Sequence, residues 1–217
     1  ALGGEGGGVL AEWLYATAVR AGHAAQTTSI PGVAQRTGAT TYYVEVWPEP
    51  GLPQGRRPVF SLNPVPGAID LLVSSELLET VRQAGAGYVS ADRTRVVSST
   101  ARSLTVAEKM ALGDGRVDDA ALQAVLVRHA RQATLLDFDT MARQAGTVIS
   151  AVLLGAIAAS GVLPIARAFY EETIRASGIG VEASLRGFAR AFDALAGLAV
   201  PEPAAHGARP PADLRSE

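Results

Sequence analysis

Apolar positions near the start of the chain recur every three or four residues, through Val9, Leu10, Trp13, Leu14, Thr17 and Ala18. That period predicts a helix from Gly8 to Gly22, with Gly22 as its C-cap. The pattern then shortens. "HAAQTTSI" is partly β-prone, and "TTYYVEVW" (Thr40 to Trp47), dense in β-branched and aromatic residues, predicts the clearest strand. "VFSLNPVPG" and "AIDLLVSSE" predict two further extended runs, the second passing into a helix, Leu77 to Ala84, ended by Gly85 and Gly87. "TRVVSST" (Thr94 to Thr100) predicts another strand. Asp118 to Gln132 predicts a helix with Asp118 and Asp119 at the positive end of its dipole. "TLLDFD" reads as a short strand, with Asp139 placed to cap a helix from Thr140 to Ala145. The remainder is helical, over 147–160, 164–177 and 180–196, broken at Gly161-Val162-Leu163-Pro164 and Gly178-Ile179-Gly180.

Alternating strands and helices over residues 1–140, closed by helices, predict an α/β fold. The expected form is a three-layer α/β/α Rossmann-like arrangement with a mostly parallel sheet and a helical C-terminal part. Residues 1–197 read as one domain, and the Pro/Ala-rich residues 198–217 as a tail or linker. "PEPGLPQGRRP" (Pro48 to Pro58) reads as an exposed loop. A glycine loop normally follows a buried strand, yet only Ala1 and Leu2 precede this one, so truncation of a first strand is expected. The apolar run Thr147 to Ile165 is interrupted by Gly155, Ser160, Gly161 and Pro164. It predicts a buried helix packed on the sheet, with the small residues suited to close packing, and no membrane span.

Composition removes several functions. Among 217 residues 48% are hydrophobic, enough for a core, and a net charge of −2 gives no field that would gather nucleic acid or anionic membrane. There is no cysteine, hence no thiolate-bound zinc, no iron–sulfur cluster and no cysteine nucleophile in this chain. His23, His129 and His206 are far apart in sequence and suggest no metal cluster. No secretory leader is visible before the glycines, so a cytoplasmic location is expected.

Four stretches carry candidate chemistry. Gly3, Gly4, Gly6 and Gly7 form a glycine loop running into a helix, where backbone N–H groups can approach a phosphate. Its spacing fits a dinucleotide fingerprint only loosely, Glu5 would repel a pyrophosphate, and "AAQTTSI" offers no acidic residue for a ribose. The alternative is a tight turn facing a partner or the edge of a ligand. "VAQRTGATTYY" places Gln35, Arg36 and Thr37 in a polar loop bounded by Gly38, and Arg36 suits a carboxylate or phosphate. Ser75 and Glu76, in "VSSE" at a strand end, read either as a ligand site or as a helix N-cap with Ser75 before Leu77. "GDGR" (Gly113 to Arg116) is similar to the opening of the thiamine diphosphate–magnesium motif, but Asn63, the only asparagine, lies upstream, so the motif cannot close within this chain.

In order along the chain, these stretches resemble the small (beta) subunit of indolepyruvate ferredoxin oxidoreductase. That subunit is a gamma-type domain of the pyruvate/2-oxoacid ferredoxin oxidoreductase family. The family shows Gly-x-Gly-Gly-Gln-Gly, then Ala-Gln-Arg with a glycine soon after, an Asp-Leu-Leu/Val strand and a Glu-x-x-Glu helix. The counterparts are Ala1 to Gly6, Ala34-Gln35-Arg36-Thr37-Gly38, Asp70-Leu71-Leu72-Val73 and Glu76-Leu77-Leu78-Glu79, with Ala1 and Glu5 as departures. The resemblance implies a non-redox subunit whose glycine loop shapes a subunit face or a coenzyme A cleft. It implies no cofactor held by this chain alone. Thiamine diphosphate, magnesium and iron–sulfur clusters sit on a large partner subunit, electrons pass to ferredoxin or a similar acceptor, and coenzyme A is an optional acyl acceptor. The alternative is a free-standing α/β nucleotide-binding or regulatory module without enzyme activity.

Overall fold

The computed structural model describes residues 6–30, 40–48, 57–103, 108, 110 and 117–198. The loop Pro31 to Ala39, the stretch Gly113 to Arg116, most of the Pro48 to Pro58 loop and nearly all of the tail lie outside the described residues. Helix α1 (Gly7–Arg20) ends where Gly22 turns left-handed at φ +82° and the His23 N–H bonds back to the Ala18 carbonyl at 2.9 Å. Strands β1 (Ala24–Ile30) and β2 (Thr41–Trp47) pair antiparallel, from Ala24 opposite Trp47 to Ile30 opposite Thr41.

One face of this ribbon, carrying Ala25 and Val46, packs on Trp13 and Leu14 of α1. The other face is polar and is crossed by residues 57–67. The Ser61 N–H donates to Glu45 Oε2 at 2.6 Å, and Gln26 Nε2 and Thr28 Oγ1 donate to the Ser61 and Leu62 carbonyls, each at 2.9 Å. "VFSLNPVPG" is therefore an irregular strap rather than the expected strand. Pro64 and Pro66 have no N–H for a ladder, and its backbone is satisfied by side chains instead.

Strands β3 (Leu71–Ser74), β4 (Arg95–Ser99) and β5 (Gln132–Leu136) form a parallel sheet in that order. Parallel neighbours need crossovers. Helices α2 (Leu77–Gly85) and α3 (Asp119–His129) supply them and bury Leu77, Leu122 and Leu126 against Ala133 and Leu135. Because strand side chains alternate, Leu71, Val73, Val97 and Leu136 reach the opposite face. There they meet Phe138 of α4 (Phe138–Ala145) and Val152 and Leu153 of α5 (Ile149–Ser160). The α/β fold is as expected. The two N-terminal strands, however, form a ribbon of their own and are not rungs of the parallel sheet.

Helix α5 is the hub: its residues Ser150 to Ile157 are all buried. Arg95 Nη1 donates to the Ser160 carbonyl at 2.6 Å, fastening the negative end of α5 to the start of β4. Among the described residues no single helix is long and apolar enough to cross a membrane. Helices α6 (Arg167–Ser177) and α7 (Val181–Ala196) complete a second core, in which Tyr170, Ile174 and Phe188 pack with Leu154 and Ala18. Several boundaries moved. Helix α3 stops at His129 because Gln132 already pairs in β5, α5 begins at Ile149, and α6 begins at Arg167, beyond Pro164.

Tyr170 is fully buried, and its hydroxyl has no hydrogen-bond partner among the described residues. An unpaired buried hydroxyl is costly, so Tyr170→Phe is expected to raise stability by about 1 kcal/mol in urea denaturation. Burial also pushes the phenol up to about 12. The folded state thus favours the neutral form, and its stability is lost as pH rises from about 10 through 12. A pH series should show a smaller loss in Tyr170→Phe than in the parent chain, the remainder coming from Tyr43, whose phenol is also pushed up by burial and by its hydrogen bond to Glu45.

Candidate functional site

The carboxyl ends of β3 and β4 and the start of α4, just after β5, open on a cleft of about 410 Å³. In an open parallel sheet this is the edge at which ligands bind, because the helices that start there present unpaired N–H groups. Its walls come from the start of α1 (Gly6, Val9), the β3–α2 junction (Ser75, Glu76) and the segment after β4 (Ala101, Arg102, Ser103). Helix α4 adds Asp139, Ala142 and Arg143, and residues Thr147 to Ser150 lead into α5.

Gly6 takes φ +79°, and its carbonyl accepts from the Leu10 N–H and from Ser150 Oγ, each at 3.0 Å. A Cβ there would lie 2.3 Å from Ser150 Oγ, so both the conformation and the contact require glycine. Ser150 thereby ties the starts of α1 and α5 together. No side chain caps either helix, and neither has an acidic residue in its first turn.

Glu76 is buried, with an extended backbone at φ −146°, ψ 135°. Its Oε2 accepts from the Glu79 N–H at 2.6 Å and its Oε1 from the Ser103 N–H at 3.1 Å. The Leu77 N–H reaches the Ala101 carbonyl at 3.0 Å. One carboxylate thus caps α2 and joins two strand-end loops. The expected Ser75 cap is corrected: the cap is Glu76, which directly precedes the helix and whose longer side chain spans both N–H groups. Ser75 lies buried beside it in the cleft wall.

The Arg102 side chain is only 6% exposed. Its Nη1 donates to the Val117 carbonyl at 2.5 Å and to Asp119 Oδ1 at 2.7 Å, and the guanidinium pairs with Glu108. This fastens the segment after β4 to the start of α3. The expected Asp139 cap of α4 is also corrected. Asp137 caps the helix through the Thr140 N–H at 2.9 Å, and the backbone and hydroxyl bonds from Thr140 hold its carboxyl below its usual range. Asp139 instead pairs with Arg143 within the first turns.

Of the candidate residues, Gly6, Ser75 and Glu76 meet in this cleft, and Gly7 opens α1. Gly3, Gly4, Gln35, Arg36, Thr37 and Gly38 lie outside the described residues. Arg102, Arg143 and Ser150 were not foreseen. Ser150 is a polar residue at the head of an apolar run, and Arg102 follows a strand, two signals that could have marked them. Among the described residues no group of His, Asp or Glu could hold a metal ion.

Residues 1–194 match the family described as pyruvate ferredoxin/flavodoxin oxidoreductase. The chain belongs to that family. Solved structures share its fold at low identity. Pyruvate oxidoreductase subunit PORC from Thermotoga maritima is 17% identical with a TM-score of 0.58, the alignment covering 88% of this chain and 91% of that one. The gamma subunit of keto/oxoacid ferredoxin oxidoreductase from Geobacter sulfurreducens is 18% identical with a TM-score of 0.57, over 91% and 95%. A third is 2-oxoglutarate:ferredoxin oxidoreductase from Magnetococcus marinus, solved with 2-oxoglutarate, coenzyme A and succinyl-CoA bound. It is 16% identical with a TM-score of 0.59, and this chain, matched over 91% of its length, spans 30% of it. No curated protein sequence matches the chain. As a member of the pyruvate ferredoxin/flavodoxin oxidoreductase family, the protein places its cleft at the sheet edge where α/β folds bind ligands.

Proposed function

We propose that this chain is the gamma-type, non-redox subunit of a thiamine diphosphate-dependent 2-oxoacid oxidoreductase acting on an arylpyruvate such as indolepyruvate. The observation that carries the reading is a donor-rich cleft at the sheet edge in a cysteine-free member of this family. The ordered motifs Ala34-Gln35-Arg36-Thr37-Gly38, Asp70-Leu71-Leu72-Val73 and Glu76-Leu77-Leu78-Glu79, which resemble the indolepyruvate subunit, support that substrate class. The chain's residues do not fit a thiamine diphosphate–magnesium site: Asn63 sits on the strap across the β1–β2 ribbon, far upstream of the Gly113 to Arg116 stretch. The partner subunit's thiamine diphosphate would supply the decarboxylation chemistry and its iron–sulfur clusters the path to ferredoxin or a similar acceptor.

This chain's part is to close the active-site edge of the partner and present backbone N–H groups to a substrate or to coenzyme A. The uncapped starts of α1 and α5 suit the anionic part of either. Purification from the native source tests the assembly. The expected result is co-elution with a larger, brown, cluster-bearing chain whose mass identifies it. A colourless chain eluting by itself would favour a free-standing α/β module.

Arg36 is proposed as a contact to that anion. Arg36→Ala is expected to lower turnover of the reconstituted complex by about ten- to a hundredfold, the loss of one charged hydrogen bond, with the melting temperature unchanged. Arg36→Lys should recover only part, since an ammonium lacks the bidentate fork. Parent-like kinetics in Arg36→Ala would reduce the loop to a turn.

A further inference from the structure

We propose that β1 and β3 form the two sides of a slot for one more β-strand, and that the segment of the polypeptide directly before Ala1 fills it. The inference goes beyond the enzyme reading and does not rest on it. Among the described residues, no backbone hydrogen bond reaches β1 except from β2, or β3 except from β4. Each strand therefore keeps one free edge, a row of N–H and C=O groups spaced to pair with a further strand. Neither carries the usual guards of an exposed edge: "AAQTTSI" and "LLVS" contain no charge and no proline. The two sheets also share one roof of helices. Leu10 of α1 packs against the core clusters of both, and α5 sends Val152 and Leu153 to one and Leu154 to the other.

Chain direction identifies the occupant. Helix α1 begins at the cleft beside Gly6 and ends at Arg20, and β1 starts at Ala24 and runs back against it. Strand β3 also ends at the cleft, just before Ser75 and Glu76. The two free edges thus point the same way, and one strand between them pairs parallel to both. Its carboxyl end falls at the cleft, where the backbone turns through Gly6 into α1, so the chain's own preceding residues reach the slot without a linker. Strand, α1 and β1 then make a β–α–β unit. Filling the slot joins ribbon and sheet in the order β2, β1, slot strand, β3, β4, β5. The strand order then reverses at the slot, which places the cleft at the switch point where α/β sheets bind ligands. A strand with parallel neighbours on both edges is an interior one, so its residues are a near-continuous apolar run. About four to seven positions match the lengths of β3 and β1. The slot calls for this strand, not the position of Ala1.

N-terminal sequencing of the polypeptide purified from its native source is the first test. The expected result is an apolar run of that length, free of proline and charge, leading into Ala1. A native polypeptide that starts at Ala1, or a charged or proline-broken stretch before it, would overturn the proposal. Amide hydrogen exchange then compares the native polypeptide with the 217-residue chain. Free-edge amides within Ala24–Ile30 and Leu71–Ser74 should exchange more slowly in the native polypeptide, by roughly tenfold or more, and its melting temperature should be higher. Equal exchange in the two would overturn the slot. Protection already present in the 217-residue chain and lost on dilution would mean that a second copy fills the slot, and would overturn the assigned occupant. Neither measurement reads activity or assembly with a partner, so failure here leaves the subunit assignment standing.

Discussion

Gly155→Ala is expected to lower the melting temperature by about 6–12 °C, corresponding to about 3 kcal/mol in a domain of this size. Gly155 lies where α5 crosses α7. A Cβ there would sit 2.1 Å from the Phe188 carbonyl oxygen, 2.9 Å from its carbon and 3.0 Å from its Cα. All three are backbone atoms, and none can rotate away. The helices would have to part, loosening Val152, Leu153 and Ala156 from Ala191 and Leu195. The gain in helix propensity, about 1 kcal/mol, only partly offsets this. Gly187, on the other side of the same crossing, is the control. Its Cβ would meet Thr147 Cγ2 at 2.5 Å and Val152 Cγ2 at 3.2 Å, both side-chain rather than backbone atoms, and Thr147, the nearer, is only half-buried. Gly187→Ala should therefore cost less than half as much. Thermal melting of the two variants side by side decides it, and equal melting temperatures for Gly155→Ala and the parent would mean that the helices do not cross this closely.

Glu76→Ala should destabilise by about 2–4 kcal/mol, because it strips the acceptor from two N–H groups in a buried setting and removes the cap of α2. Two milder variants separate the roles. Glu76→Asp keeps a good capping residue but is one methylene short of Ser103. Amide hydrogen exchange should then show Glu79 still protected and Ser103 exchanging faster. Glu76→Gln retains a single carbonyl oxygen and should fall between Asp and Ala in stability. Unchanged exchange at Ser103 in Glu76→Asp would show that the carboxylate does not hold the cleft wall, and that Glu76 is a helix cap alone.

The periodic stretches carried the fold. The α1 stripe, the strand at Thr41–Trp47 and the three C-terminal helices were legible because their apolar spacing is local, set by 3.6- and two-residue repeats within one element. The absence of cysteine likewise bounded the chemistry without any coordinates. Caps were read one residue early at Ser75 and two residues late at Asp139, since neighbouring polar residues all satisfy the local pattern and only the reach of the Glu76 and Asp137 side chains selects among them. The separation of β1–β2 from the parallel sheet could not be read, because strand pairing is a long-range choice that alternating propensity does not encode. The same holds for the glycines of the apolar run. Gly155 meets the backbone of another helix, whereas Gly161 only turns the chain at φ +65°, with nothing within 4 Å of its would-be Cβ. In sequence the two look alike. The cleft belongs to the same class. Gly6, Glu76, Arg102 and Ser150 span 145 positions of chain, from 6 to 150, and become neighbours only because parallel crossovers return every strand end to one edge of the sheet.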